Sequence, residues 1–262
     1  MEISLLPAQA WFWPGTAVFL FCAAIHAGPA PAGVVVHGTR VVYPADRREV
    51  TVELRNEGDA PSLVQAWIER DDAQTGEKTA GEAKDGVPFS LTPAIFRLDP
   101  KSGQSLRIIY TGRPLASDRE TVFWLNVLDI PPKAPPNPNA PNHLDFAFRH
   151  RMKLFFRPGH LPGNAGDAAS RILWSVRQDQ AALQLVAVNP TPYHISLTRL
   201  ELTGNRRSLA AAPAMLAPLT ATPFALGTGL DPQNVRVHFD YIDDYGGAHS
   251  GDAPVRMEPV GN

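Results

Sequence analysis

From residue 34 onward the chain is written in short apolar runs that alternate with polar positions, and stretches of turn chemistry divide them. The segments VVVHGTRVVYP (34–44), EVTVELRN (49–56) and SLVQAWIER (62–70) are separated by ADRR and EGDAP. AIFRLDP (94–100), QSLRIIYTG (104–112), TVFWLNVLDIPP (121–132) and a strand over 144–156 follow, with no helical period between them. Seven strands in roughly 120 residues match the rhythm of an immunoglobulin-like sandwich. A breaker cluster, RPGHLPGNAGDAAS (157–170), interrupts the rhythm, which then resumes over 171–178, 181–189, 193–202, 221–226 and 234–243. The pattern predicts an all-β chain of two tandem immunoglobulin-like β-sandwich domains, 33–157 and 160–262.

The 144–156 strand is unusual. A Pro/Asn tract, APPNPNAPN, leads straight into it. Leu144, Phe146 and Phe148 fall on one face, and Met152, Leu154 and Phe156 continue the same parity. An edge strand that exposes such groups invites aggregation. The strand is therefore either buried or made to be paired with something.

Composition narrows the functional classes. Proline is frequent, at 26 residues, which disfavours long helices. The net charge of −2 supplies no basic field for nucleic acid or anionic membrane. Arg149, Arg151, Lys153 and Arg157 form a basic run, but its interleaved apolar face reads as one side of an ordinary solvated strand. The chain has one cysteine, Cys22, inside the apolar run AVFLFCAAI (17–25), which is too short to span a bilayer. Small residues and prolines follow, so residues 1–27 read as a secretory signal peptide cleaved near Ala27 or a few residues later. The segment before the run carries Glu2 and no Lys or Arg, which is unusual for such a leader. Once cleaved, the chain would hold no cysteine and would fold without disulfides. No Cys nucleophile, HExxH, GxSxG or P-loop is present, and the eight histidines show no ligand spacing. No catalytic residue, cofactor or metal is expected. The sequence DDYGG (243–247) reads as a hairpin turn flanked by carboxylates.

The segment LASDRETVFWLNVLDIP (115–131) carries more than packing requires, since Glu120 at the mouth of a buried strand has no packing role. This segment resembles the long signature of the periplasmic pilus-assembly chaperones, the PapD-like family. Asp118, Arg119 and Glu120 form its acidic-basic-Glu core, and Trp124, Asn126, Ile130 and Pro131 complete it. VHGTRVVYP, with Arg40 in its Thr-Arg pair, QAWIE, KLFFRP, NPTPYHISL and YIDDYGG also resemble family segments. The resemblance thus covers nearly the whole mature chain.

The resemblance implies two immunoglobulin-like domains in an L-shaped arrangement and a chaperone that binds, folds and caps fimbrial subunits. Leu144, Phe146 and Phe148 stand where the family places residues lent to a pilin that lacks a strand, a known mode of recognition. The Pro/Asn connector without a Cys pair resembles the family's short-loop type. Arg40 and Lys153 map onto two basic anchors for the subunit's C-terminal carboxylate. Glu120, Arg157 and Asp244 map onto an interdomain ion network. Strict alternation sets Lys153 on the opposite face from Phe148, and a bulge or strong twist near Arg149–Arg151 would reconcile the two. The implied partners are pilin subunits, an outer-membrane usher and a second copy capping the free strand; nucleic acid, nucleotide and metal are not implied. The implied location is the periplasm. Two rival readings remain: an adhesive two-sandwich surface protein, and a hydrolase using Glu120 or Asp244.

Overall fold

The computed structural model describes residues 33–71, 86–133, 146–179, 182–204, 207–225 and 235–257. The expected signal peptide, 1–27, and Leu144 lie outside the described residues. Among those residues the first domain has nine strands: β1 (Val34–Val36), β2 (Arg40–Pro44), β3 (Val50–Asn56), β4 (Ser62–Arg70), β5 (Phe89–Thr92), β6 (Ile95–Leu98), β7 (Gly103–Tyr110), β8 (Thr121–Ile130) and β9 (Phe148–Arg157). They form two sheets, β1-β3-β7-β5 and β2-β9-β8-β4-β6. Alternation decides what each strand buries. Phe123, Leu125 and Val127 of β8 turn inward, and so do Met152, Leu154 and Phe156 of β9. Tyr43 is fully buried among them, stacks on Phe156, and donates its hydroxyl to the carbonyl of Arg48 at 2.9 Å.

The segment 34–44, which reads as one strand, is two. Gly38 adopts φ 92°, a left-handed conformation, and breaks the segment there. Val34–Val36 then pair with β3 in one sheet, while Arg40–Pro44 run parallel to β9 in the other. The 144–156 strand begins at Phe148 and ends at Arg157, and β5 is an element that the apolar pattern had not marked.

A 3₁₀ helix (Ala165–Arg171) opens the second domain, its first turn capped by the Asn164 side chain, which accepts from the Gly166 amide at 2.9 Å. This helix lies inside the breaker cluster and contributes buried Ala168 and Ala169 to the second core. Then come β10 (Leu173–Asp179), β11 (Ala182–Asn189), β12 (Ile195–Gly204), β13 (Arg207–Ala211), β14 (Met215–Leu216), β15 (Thr220–Ala225), β16 (Arg236–Ile242), β17 (Ala248–Pro254) and β18 (Arg256–Met257). They form sheets β15-β11-β10-β18 and β13-β12-β16-β17, with β14 on β12. Trp174, Val176, Leu185, Leu200, Val237 and Phe239 centre the core between them. The DDYGG segment is the β16–β17 turn: Asp243 accepts from the Gly247 amide at 2.7 Å, and Gly246 takes φ 87°.

Candidate functional site

The site begins as an incomplete sheet edge. On one side β9 pairs with β8 along its whole length, from Phe148 opposite Asp129 to Phe156 opposite Thr121. On the other side β2 covers only Lys153–Arg157. Among the described residues, Phe148–Met152 therefore have no strand on that side, and their backbone groups are available to a guest strand. Phe146 and Phe148 are 61% and 59% exposed, whereas Met152 is buried. The β8–β9 register runs without a shift, so the bulge expected near Arg149–Arg151 is absent there. Phe148 and Lys153 consequently project from opposite faces of one strand.

The basic run is not simply solvated. Arg151 lies over the Trp124 ring at 3.9 Å and donates to Glu69 at 3.0 Å. Arg149 stacks near Trp67, at 5.2 Å, and donates to Asn126 Oδ1 and Glu69. Trp124 in turn donates its indole N–H to Asp71 at 3.2 Å. The outward face of the sheet thus holds its arginines with carboxylate and ring partners.

The next two cations differ. Parallel pairing of β2 with β9 sets Arg40 directly beside Lys153. Lys153 Nζ donates to Ser196 Oγ of the second domain at 2.8 Å, and Arg40 donates to the carbonyl of Ile242 at 2.8 Å. Neither has a carboxylate within ion-pair distance among the described residues, and the buried Nε of Arg40 has no partner. Burial, with the Arg40 charge adding to it, pulls the Lys153 ammonium from 10.5 down to about 8; Asp71 acts against the shift. Burial also lowers the Arg40 guanidinium from its ordinary value, against the pull of Asp244 and Asp243. Lys153 borders an open cleft of about 540 Å³, lined also by Trp124 from the first domain and by Leu197, Ala214 and Met215 from the second. Two desolvated, adjacent cations with no carboxylate in ion-pair contact make a site for an anion, and a carboxylate suits both donors.

Glu120, Arg157 and Asp244 do meet. Arg157 donates to Glu120 at 2.6 Å and makes a two-pronged contact with Asp244 at 2.7 and 3.0 Å. The second Glu120 oxygen accepts the His194 amide at 2.7 Å, and the Glu120 amide donates to the Pro192 carbonyl at 2.9 Å. Burial alone would lower Arg157, but the Asp244 hydrogen bonds and the two carboxylate charges raise it above its ordinary value. Every carboxylate oxygen of this trio is engaged from within the protein, so the geometry ties β8, β9 and the β16–β17 turn together and offers no free acid or base. Gly246 of that turn lies against Thr39, where an added Cβ would come within 2.7 Å of the Thr39 hydroxyl.

Reasoning from the sequence missed four participants: Ser196, the Ile242 carbonyl, His194 and Asp71. The first three lie in or beside the segments NPTPYHISL and YIDDYGG, but nothing in their residue types marks them as cleft residues.

Family models match both halves of the chain: the PapD N-terminal domain of pili and flagellar-assembly chaperones over residues 33–162, and the C-terminal domain of the pili assembly chaperone PapD over residues 167–253. The chaperone protein FimB/FhaD of Bordetella pertussis is 44% identical over 223 residues, covering 83% of this chain and 86% of that protein. The crystal structure of the YadV chaperone superposes with a TM-score of 0.70 at 35% identity, covering 84% of this chain and 98% of the other. That of the periplasmic chaperone SfaE gives 0.63 at 27% identity, covering 86% and 100%.

Proposed function

The chain belongs to the PapD family of pili-assembly chaperones, and we propose that it works in the periplasm, binding a fimbrial subunit along the open edge of β9 and passing it to an outer-membrane usher. The observation that carries this reading is a strand edge left uncovered over Phe148–Met152, among the described residues, that ends at two adjacent cations with no carboxylate in ion-pair contact. A subunit whose own sandwich lacks a strand would take backbone hydrogen bonds from that edge. It would bury Phe146 and Phe148, together with Leu144, in its open core. Each such side chain contributes roughly 1.5–3 kcal/mol when fully buried. The subunit's C-terminal carboxylate would lie between Arg40 and Lys153. The ion network of Glu120, Arg157 and Asp244 would hold the two domains in register with that anchor without chemistry of its own.

Two further contacts belong to this reading. Leu63 and Ile95, 47% and 62% exposed on the outward face of the same sheet, give the usher an apolar surface away from the subunit edge. With no subunit present, a second copy of the chain would cover the exposed aromatics. The test is periplasmic co-expression with candidate pilins. A pilin that accumulates only when this chain is present, and is lost with Phe148→Asp, supports the reading; accumulation that ignores the chain for every pilin tried refutes it.

A further inference from the structure

Asp129 has no part in the site just described, yet it is a buried carboxylate with half its capacity unused. It sits on the inward face of β8, opposite Phe148 of β9, and is 4% exposed. Its Oδ2 accepts the Val34 amide at 2.9 Å, while its Oδ1 has no partner among the described residues. A buried carboxylate oxygen without a donor is costly, and so points to a missing cation or donor. The residue before Val34 is Gly33. An added Cβ there would sit 2.4 Å from Asp129 Oδ2, so any larger residue would have to displace the carboxylate. Gly33 is held on its other side as well, its carbonyl accepting the Glu57 amide at 3.2 Å. Gly33 is thereby held beside the carboxylate. The preceding residues read Ala30-Pro31-Ala32, the small-x-small pattern that leader peptidases cleave after.

We propose that the mature chain begins at Gly33 and that Asp129 is the receptor for its new α-ammonium. A signal peptidase adds water across the Ala32–Gly33 amide: hydroxide joins the Ala32 carbonyl, and the Gly33 nitrogen leaves as an amine that takes up a proton at neutral pH. The ammonium then donates to Asp129 Oδ1, while the Val34 amide keeps Oδ2. The leader-bearing chain cannot form this pair, because an amide nitrogen has neither the charge nor the spare protons. Processing therefore clamps β1 against β8 at the level of Phe148, where the open edge begins.

The inference rests on export to the periplasm, and one preparation separates the two. The chain is expressed with its natural leader, and the periplasmic protein is analysed by intact mass and N-terminal sequencing. A first residue of Gly33 is expected. An exported protein with another first residue overturns this inference alone, whereas a chain kept in the cytoplasm at full mass overturns the export reading as well. The receptor role is tested with proteins released from a cleavable fusion to begin at Ala32 or at Gly33, each with and without Asp129→Asn. The extra alanine should lower the thermal midpoint by about 3–8 °C with Asp129 in place, and by almost nothing with asparagine. An equal drop in both backgrounds, or none in either, overturns it.

Discussion

Lys153→Met should move subunit affinity and protein stability in opposite directions. The substitution keeps length and apolar bulk and removes the ammonium. In the free chaperone that ammonium is desolvated, lies beside Arg40, and is drawn from 10.5 down to about 8. Taken in full, that change corresponds to roughly 3 kcal/mol, and the exposed part of the side chain reduces it to about 1–2 kcal/mol. Loss of the hydrogen bond to Ser196 takes back about 0.5–1.5 kcal/mol. The variant should therefore be as stable as the parent or slightly more so. Its affinity for a peptide carrying the subunit's C-terminal carboxylate should fall about 10- to 150-fold, one charged hydrogen bond being worth about 1.5–3 kcal/mol. A peptide ending in an amide should lose a similar factor with the parent protein, and little more with Lys153→Met. Calorimetry of acid and amide peptides against both proteins measures this cycle, and denaturant unfolding measures the stability. The pH dependence has a definite sign. Between about 8 and 10.5 the unfolded chain keeps the lysine proton and the folded chain has released it, so this residue makes stability rise with pH across that window. The rise should be missing from Lys153→Met. Strictly additive losses in the peptide cycle, or destabilisation by more than about 1 kcal/mol, would refute the anchor argument.

Glu120→Ala should cost about 3–5 kcal/mol of stability, because it leaves Arg157 and the His194 amide without their buried acceptor; thermal unfolding reads the loss, and affinity per folded molecule should hardly change. Phe148→Asp should abolish subunit capture in pull-down, since a carboxylate in an apolar groove would be unpaired, and should lower the melting midpoint only slightly, since Phe148 is 59% exposed in the free protein although Asp129 stands opposite. Gly246→Ala should destabilise by about 1–2 kcal/mol, from its left-handed φ of 87° and its approach to Thr39; urea midpoints measure it, and Tyr245→Ala in the same turn, 97% exposed, serves as the neutral control.

Strand alternation was enough to find the sandwiches, because the inward positions Phe123, Leu125 and Val127 of β8 and Met152, Leu154 and Phe156 of β9 are all apolar and buried. It failed where geometry lacks an apolar period. The break at Gly38 depends on one left-handed residue, and β17, AHSGDAP, pairs with β16 while burying almost nothing. The 3₁₀ helix was hidden inside Gly- and Pro-rich sequence, and its two buried alanines carry no amphipathic signal of their own. The charged trio was recognisable only through family resemblance, since its members lie up to 124 positions apart, from Glu120 to Asp244, and only folding joins them. Ser196 could not be found at all. Its hydroxyl matters because β12 brings it up to Lys153, and no local pattern encodes that meeting.

The short reach of β2 has a consequence for what the edge can accept. A guest strand lying along Phe148–Met152 and a strand already lying along Lys153–Arg157 occupy one continuous track. The guest cannot advance beyond Arg40, where β2 blocks the way. An internal segment of a polypeptide would have to turn aside there, into a cleft whose nearest groups are cations. A chain that simply stops at that point brings a carboxylate with it. With its terminus seated there, the guest must run parallel to β9, as β2 does, and its register is counted back from its last residue. The track is then a dead-end siding that measures from the terminus, so that shortening or extending a subunit by a single residue would turn every groove-filling side chain to the wrong face.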